Sequence, residues 1–205
     1  MKILVATKNS GKAREIAEFL GKSAVRQGAE AFEIVSLKDM PGAPDLEETG
    51  KTFEENAILK AKLYFKWSGI PSVADDAGLE IDFLNGEPGV RSRRWLGYEM
   101  TDQEMIDTAL DRLKGVTKEK RTAHLVATGA YYNGKNTIIE RGSIDGLILE
   151  KQIIKCESGY PFNVIFWIPK FNKLYKELTH AEHEQINHRG FIYRRLAQKI
   201  KKLDK

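Results

Sequence analysis

Only one cysteine, Cys156, occurs in 205 residues, so an internal disulfide is excluded. The fold must therefore be held by packing, as in proteins of reducing compartments. No apolar stretch approaches the roughly 20 residues needed to cross a bilayer, and no membrane partner is expected. The opening Met1-Lys-Ile-Leu-Val-Ala6 carries one basic residue and a short apolar run. That run is too short for a secretory signal core, and a cytoplasmic location is the expectation. There is no internal repeat, no low-complexity run and no linker that would separate two independent domains. Residues 1–205 are expected to form a single domain.

What is present is the balance of a globular protein. Hydrophobic residues make up 41% and charged residues 30%, and the length allows a sizeable core. Net charge is +4 and the pI about 9.0. Part of the excess lies at the end, in Tyr193-Arg-Arg-Leu-Ala-Gln-Lys-Ile-Lys-Lys-Leu-Asp-Lys205. Such a tail can contact nucleic acid. The preferred reading is an amphipathic helix with a solvated basic face, because Ile192, Leu196, Ile200 and Leu203 recur at helical spacing. The tail has no interleaved aromatic residues for stacking on bases. No nucleic-acid partner is expected.

The start reads strand, loop, helix. Ile3-Leu-Val-Ala6 is a short buried strand, Thr7 to Lys12 a turn-rich loop, and Ile16, Phe19 and Leu20 share one helix face. That is the opening of an α/β protein. A loop from Lys38 to Gly50 carries Asp45, Glu47 and Glu48. Thr52-Phe-Glu-Glu55 predicts a capping box, and its helix stops near Ser68-Gly69. Ser72-Val-Ala74 predicts a strand ending at Asp75-Asp-Ala-Gly78. Thr101-Asp-Gln-Glu104 and Thr179-His-Ala-Glu182 predict two more capping boxes. His124 to Tyr132, Thr137 to Arg141 and Val164 to Ile168 read as strands, with Asn133-Gly134 as a hairpin turn. The late strands predict a mixed sheet.

Four places can carry chemistry. In the first loop, helix N-terminal N–H groups favour an anion. Thr7, Asn9 and Ser10 add donors, and Lys12 adds a charge. The Walker spacing is missing, so the loop alone reads as a phosphate cradle or as a solvated turn. Asp75 and Asp76 end a strand, where ligand crevices lie in α/β folds. Adjacent aspartates there need a positive neighbour. Hard oxygen ligands suit Mg²⁺, and a carboxylate can take a proton from an attacking water. Gly78 would let the chain turn after the pair. The pair reads equally as a polar turn. Lys60 can reach a triphosphate from its helix, or stand as a surface lysine. His188 and Arg189 can read a base edge or hold a phosphate, or end a helix.

In sequence order, the runs Leu4-Val-Ala-Thr-Lys-Asn-Ser-Gly-Lys12 with Glu15, Glu47-Glu-Thr-Gly-Lys-Thr-Phe-Glu-Glu-Asn-Ala-Ile-Leu-Lys-Ala61, Ala74-Asp-Asp-Ala-Gly-Leu79, Pro88-Gly-Val-Arg-Ser-Arg-Arg94 and Asn187-His-Arg-Gly190 resemble one family. It is that of the inosine triphosphate pyrophosphatases, which remove inosine and xanthosine triphosphates and their deoxy forms. The resemblance implies an elongated mixed β-sheet flanked by helices, with two lobes around a central cleft, and a homodimer. It implies hydrolysis of a nucleoside triphosphate to monophosphate and pyrophosphate with Mg²⁺. By the same resemblance Thr7, Lys8, Asn9, Ser10, Gly11 and Lys12 hold the phosphates, with Lys60 helping. Glu47 and Asp76 place the metal, and Asp75 counts as a further metal residue that supports that site. Asp76 accepts the proton of the water, and His188 and Arg189 contact the base.

The match is weaker around the base. Where the family has Gly-Gly-Phe-Gly-Tyr/Trp-Asp-Pro, this chain reads Ser158-Gly-Tyr-Pro-Phe-Asn-Val164. Tyr160, Phe162 and Asn163 then stand at substrate-binding positions. His183 replaces a basic residue, and Ala77 replaces the serine of Asp-Asp-Ser-Gly. Proline removes an N–H, and asparagine swaps an acceptor for a donor–acceptor amide. A shifted or relaxed base preference is expected, with Tyr160 still able to stack. The alternative is a degenerate protein of the same fold that binds nucleotide without cutting it. The retained Lys12, Glu47, Lys60 and Asp76 argue against it.

Overall fold

The structure is a computed structural model that describes residues 1–25, 32–156 and 159–203. The side chain of Ser10 and residue Ser158 lie outside the described residues. Seven strands occur: Lys2–Val5 (β1), Glu33–Ser36 (β2), Ser72–Ile81 (β3), Thr122–Tyr132 (β4), Thr137–Ile148 (β5), Phe166–Ile168 (β6) and Lys173–Leu174 (β7). The α-helices are Ser10–Val25 (α1), Phe53–Ser68 (α2), Asp102–Arg112 (α3), His180–Ile186 (α4) and His188–Leu203 (α5). The strands form one sheet in the order β2-β1-β3-β4-β5-β6-β7. β1 pairs in parallel with β2 and β3, while β6 pairs antiparallel with β5 and β7. The expected mixed α/β sheet is present.

The chain packs as two compact units. One comprises Met1–Ala77, Ala127–Gly142 and His188–Lys205, and the other Gly78–Val126 and Ser143–Asn187. In the first unit, successive strand side chains point to opposite faces. Ile3, Val5 and Val73 pack with Ile16, Phe19 and Leu20 of α1 and with Ile192, Tyr193, Leu196 and Ile200 of α5. Leu4, Ala6 and Ala74 point the other way, onto Ala57, Ala61 and Tyr64 of α2. Ile3 and Leu4 are fully buried, and each contributes roughly 1.5–3 kcal/mol by leaving water. The buried stripe of α5 ends at Ile200, and Leu203 is exposed, contrary to the spacing argument. The basic face of α5 is partly neutralised: Arg195 and Lys199 pair with Glu140 at 2.7 and 2.6 Å.

The second unit closes around Leu79, Ile81, Met105, Ile106, Phe162, Phe166 and Ile168. Arg121 is buried there and donates to the carbonyls of Ile148 and Leu113, both at 2.7 Å, and of Leu149. The guanidinium thus satisfies three backbone acceptors at once.

Several local expectations change. β3 does not end at Asp75-Asp76 but continues to Ile81, and Gly78 is not among the residues with positive φ. No turn is needed, because both carboxylates find cations where they stand. β5 extends well beyond Arg141, and β6 begins at Phe166 after a 3₁₀ turn over Pro161–Val164. The first capping box is half made. Thr52 accepts from Glu55 N at 3.1 Å, but Glu55 reaches back to Lys51 N, at 2.6 Å. The boxes at Thr101 and Thr179 are complete. Two short strands, β2 and β7, had no sequence signal.

Candidate active site

β1 stops at Val5, opposite Val73 of β3. Two residues further along β3 come Asp75 and Asp76, no longer covered by β1 pairing on that side. Being consecutive, they face opposite sides of the sheet. Asp75 meets Lys12 of α1 and Arg189 of α5, both 3.3 Å from its Oδ2. Asp76 meets α2: its Oδ1 lies 3.1 Å from Lys60 Nζ, and its Oδ2 accepts from Asn56 Nδ2 at 3.0 Å. Lys60 also donates to the Asp75 carbonyl at 3.0 Å and pairs with Glu48 at 2.6 Å. Arg189 Nη1 stands 3.6 Å from Glu15. Three cations thus interleave with four acids.

The acid-bearing loop is tethered to α2. Tyr64 Oη donates to the carbonyl of Pro44 at 3.1 Å, and Gly50 N donates to Asn56 Oδ1 at 2.8 Å. A β-carbon on Gly50 would press 2.9 Å from Asn56 N and against its Oδ1, so only glycine lets the loop come this close. Asn56 therefore joins the loop to Asp76 through one buried amide.

Charge follows the geometry. Burial pushes the Asp75 carboxyl up, but Lys12, then Arg189 and Lys60, hold it down to about 2. For Asp76, burial and the nearby Glu48 outweigh Lys60, and its proton affinity rises. Burial works against the Lys60 ammonium, but Asp76 and Glu48 overcome it and raise its pKa. One ammonium serves two carboxylates, so Lys60 stays charged while Asp76 gains basicity. A buried acid of raised basicity is suited to accept a proton.

The first loop differs from a bare anion cradle. Asn9 caps α1, with its Oδ1 accepting from Gly11 N at 2.9 Å and Lys12 N at 3.1 Å. Thr7 Oγ1 accepts from Asn9 N at 3.2 Å. Lys8 pairs with exposed Asp45, a contact worth little in water. Lys12, 20% exposed, keeps two ammonium donors beyond the one aimed at Asp75. The structure thus brings Lys12, Glu48, Lys60, Asp75, Asp76 and Arg189 together, with Ala77 following in β3. Glu47 is exposed in the same loop. His188 is buried.

The remaining candidates belong to the second unit. Tyr160 is half-buried and its carbonyl accepts from Asn163 N at 3.3 Å. Phe162 is a core side chain, 6% exposed. His183 Nε2 lies 2.6 Å from Tyr175 Oη, with the rings 5.2 Å apart. Asn56 was not singled out from sequence, and Glu15 was named there only beside the first of the family-like runs. Asn56 stands four residues before Lys60, on the same helical face, and that spacing was the available signal.

Among the described residues no three His, Cys, Asp or Glu side chains stand as a metal cluster. Mg²⁺ asks for less: one or two carboxylates, with waters and phosphate oxygens completing its shell. Glu48 and Asp76, brought together on Lys60, supply hard oxygens of that kind and fit such a cation, with Glu47 next in sequence to Glu48.

The chain is similar to known proteins over nearly its whole length. The dITP/XTP pyrophosphatase of Bacillus anthracis is 40% identical over 201 residues, covering 97% of this chain and 95% of that one. A HAM1 protein structure from Coxiella burnetii superposes with a TM-score of 0.82 at 33% identity, covering 98% of this chain and 99% of that one. The Ham1 protein of Staphylococcus aureus gives 0.81 at 30% identity, covering 98% of both chains. The model of the Ham1 family matches residues 3–199, and the chain belongs to that family.

Proposed function

We propose that this chain hydrolyses nucleoside triphosphates to monophosphate and pyrophosphate, acting on non-standard purine forms such as ITP, dITP and XTP. The observation that carries it is the buried Asp76, raised in basicity and held between Lys60 and Asn56. The names borne by relatives, dITP/XTP pyrophosphatase, support the substrate class. In this reading Asp76 takes the proton of a water attacking the α-phosphate. Lys12 and Lys60 offset charge on the leaving pyrophosphate, and the Thr7–Lys12 loop seats the phosphates. Mg²⁺, placed by Glu47 and Asp76 with Glu48 beside them, would polarise the phosphoryl oxygens when bound. Tyr160, Phe162, Asn163, His183, His188 and Arg189 remain the candidates for base recognition. The changed segment before Val164 is read as relaxing base preference. Residues 1–205 serve as one domain of a cytoplasmic homodimer, and light scattering tests the dimer.

The test is pyrophosphate release across natural and deaminated triphosphates with Mg²⁺. Wild type should release pyrophosphate, and Asp76→Asn should lose at least 100-fold in kcat. Nucleotide binding without release in the wild type would instead identify a degenerate binder.

A further inference from the structure

Asp75 touches every cation of the site. Its side chain is 1% exposed, with Oδ2 at 3.3 Å from both Lys12 Nζ and Arg189 Nε. Its backbone carbonyl takes Lys60. The carboxylate faces α1 and α5, while Asp76, Glu48 and the tethered loop lie toward α2. Oδ1 is buried with no hydrogen-bond partner among the described residues. A buried charge of this kind is expensive even when paired, so a purely structural contact would be better served by an apolar one. A metal ligand must be open to a cation that arrives with its waters, and Asp75 is closed off behind Lys12 and Arg189.

We propose, resting on the hydrolase reading above, that Asp75 is a positioning residue and not a metal ligand. Its charge holds the Lys12 ammonium at the start of α1 with two donors left for an incoming polyphosphate. A lysine stem is otherwise free to swing, and fixing it beforehand removes an ordering cost from substrate binding. Arg189, held by Asp75 and Glu15, is the rear brace of the same arrangement. Two of its nitrogens thereby face acids of its own site.

The test separates charge positioning from metal binding. Mn²⁺, as a paramagnetic stand-in, is titrated by electron paramagnetic resonance in the presence of the α,β-imido analogue of dITP. Asp75→Asn should leave the Mn²⁺ Kd within threefold of wild type, whereas Asp76→Asn should weaken it tenfold or more. Pyrophosphate release is then measured in a cycle with Lys12→Gln. Asp75→Asn should lower kcat/KM by 10- to 100-fold when Lys12 is present, and by less than threefold in the Lys12→Gln background. A tenfold loss of Mn²⁺ affinity, or the same activity loss in both backgrounds, overturns the proposal. Should Asp75→Asn fail to fold, Asp75→Glu keeps the charge but displaces it by one methylene. It should lower kcat/KM without moving the Mn²⁺ Kd, and a tenfold shift in that Kd overturns the proposal. If wild type releases no pyrophosphate, the hydrolase reading falls on that result, and the Mn²⁺ arm still decides the placement of Asp75.

Discussion

Replacing Asn56 with aspartate changes the chemistry of one atom and almost no volume. Asn56 is 1% exposed, so water cannot make good what the amide loses. Its Oδ1 still accepts from Gly50 N after the change. Its Nδ2, which donates to Asp76 Oδ2 at 3.0 Å, becomes an oxygen facing an oxygen. A hydrogen bond to a charged group is worth about 1.5–3 kcal/mol, and the new contact adds like-charge repulsion. If Asp76 must be held to act on water, that loss appears in the transition state. At about 1.4 kcal/mol per tenfold, kcat/KM should fall roughly 10- to 150-fold. The melting temperature should fall too, by about 2–4 °C per kcal/mol for a chain of this size. Pyrophosphate release from dITP and a thermal melt measure the two effects. An Asn56→Asp enzyme within twofold of wild type in kcat/KM would refute the idea that this amide orients the acid.

Two further expectations concern the second unit. His124 places one ring nitrogen 2.8 Å from Asp145 and the other 3.1 Å from Asp82, and only an imidazolium can donate to both. Partial burial lowers its pKa, but the hydrogen bond to Asp145 and the charge of Asp82 outweigh this and raise it above the ordinary 6.5. The bridge then stabilises fully below pH 6.5 and is lost as pH rises through the folded value. The melting-temperature gap between wild type and His124→Gln should accordingly be widest below pH 6.5 and narrow as pH rises above it, and a gap that widens with pH would contradict this. Gly146→Ala would push a β-carbon to 2.6 Å from Trp167 O and into the Phe166 ring. It should destabilise by about 1–3 kcal/mol or more. Gly21→Ala, with open space around it in α1, should stabilise by up to about 1 kcal/mol; a thermal melt of each checks the opposite signs.

The elements with local chemistry were legible in the sequence. Thr101 and Thr179 announce their helices by side chains that cap their own backbones, and no distant contact is needed to see it. β1 is legible as a short continuous apolar run, and α5 because its apolar residues recur at helical spacing. β3 was cut short because two charged residues interrupt its apolar run. What permits them is Lys12, Lys60 and Arg189, brought from three helices by tertiary packing that no local window contains. β2 has four residues and β7 two, too few for any period to register. In the site, residue types pointed to Lys12, Lys60, Asp75 and Asp76. That the two aspartates meet different helices follows from strand alternation once β3 is known to run straight through them. Phe162 marks a different limit: the sequence aligns it with a binding segment, and its burial in the second unit is visible only in the structure.

The central claim is that water is activated at Asp76 and attacks the α-phosphate, with pyrophosphate leaving. Hydrolysis of dITP in ¹⁸O-labelled water, with mass analysis of both products, tests it directly. One ¹⁸O should appear in the deoxyinosine monophosphate and none in the pyrophosphate. Label in the pyrophosphate, or release of orthophosphate with a nucleoside diphosphate, would contradict the account.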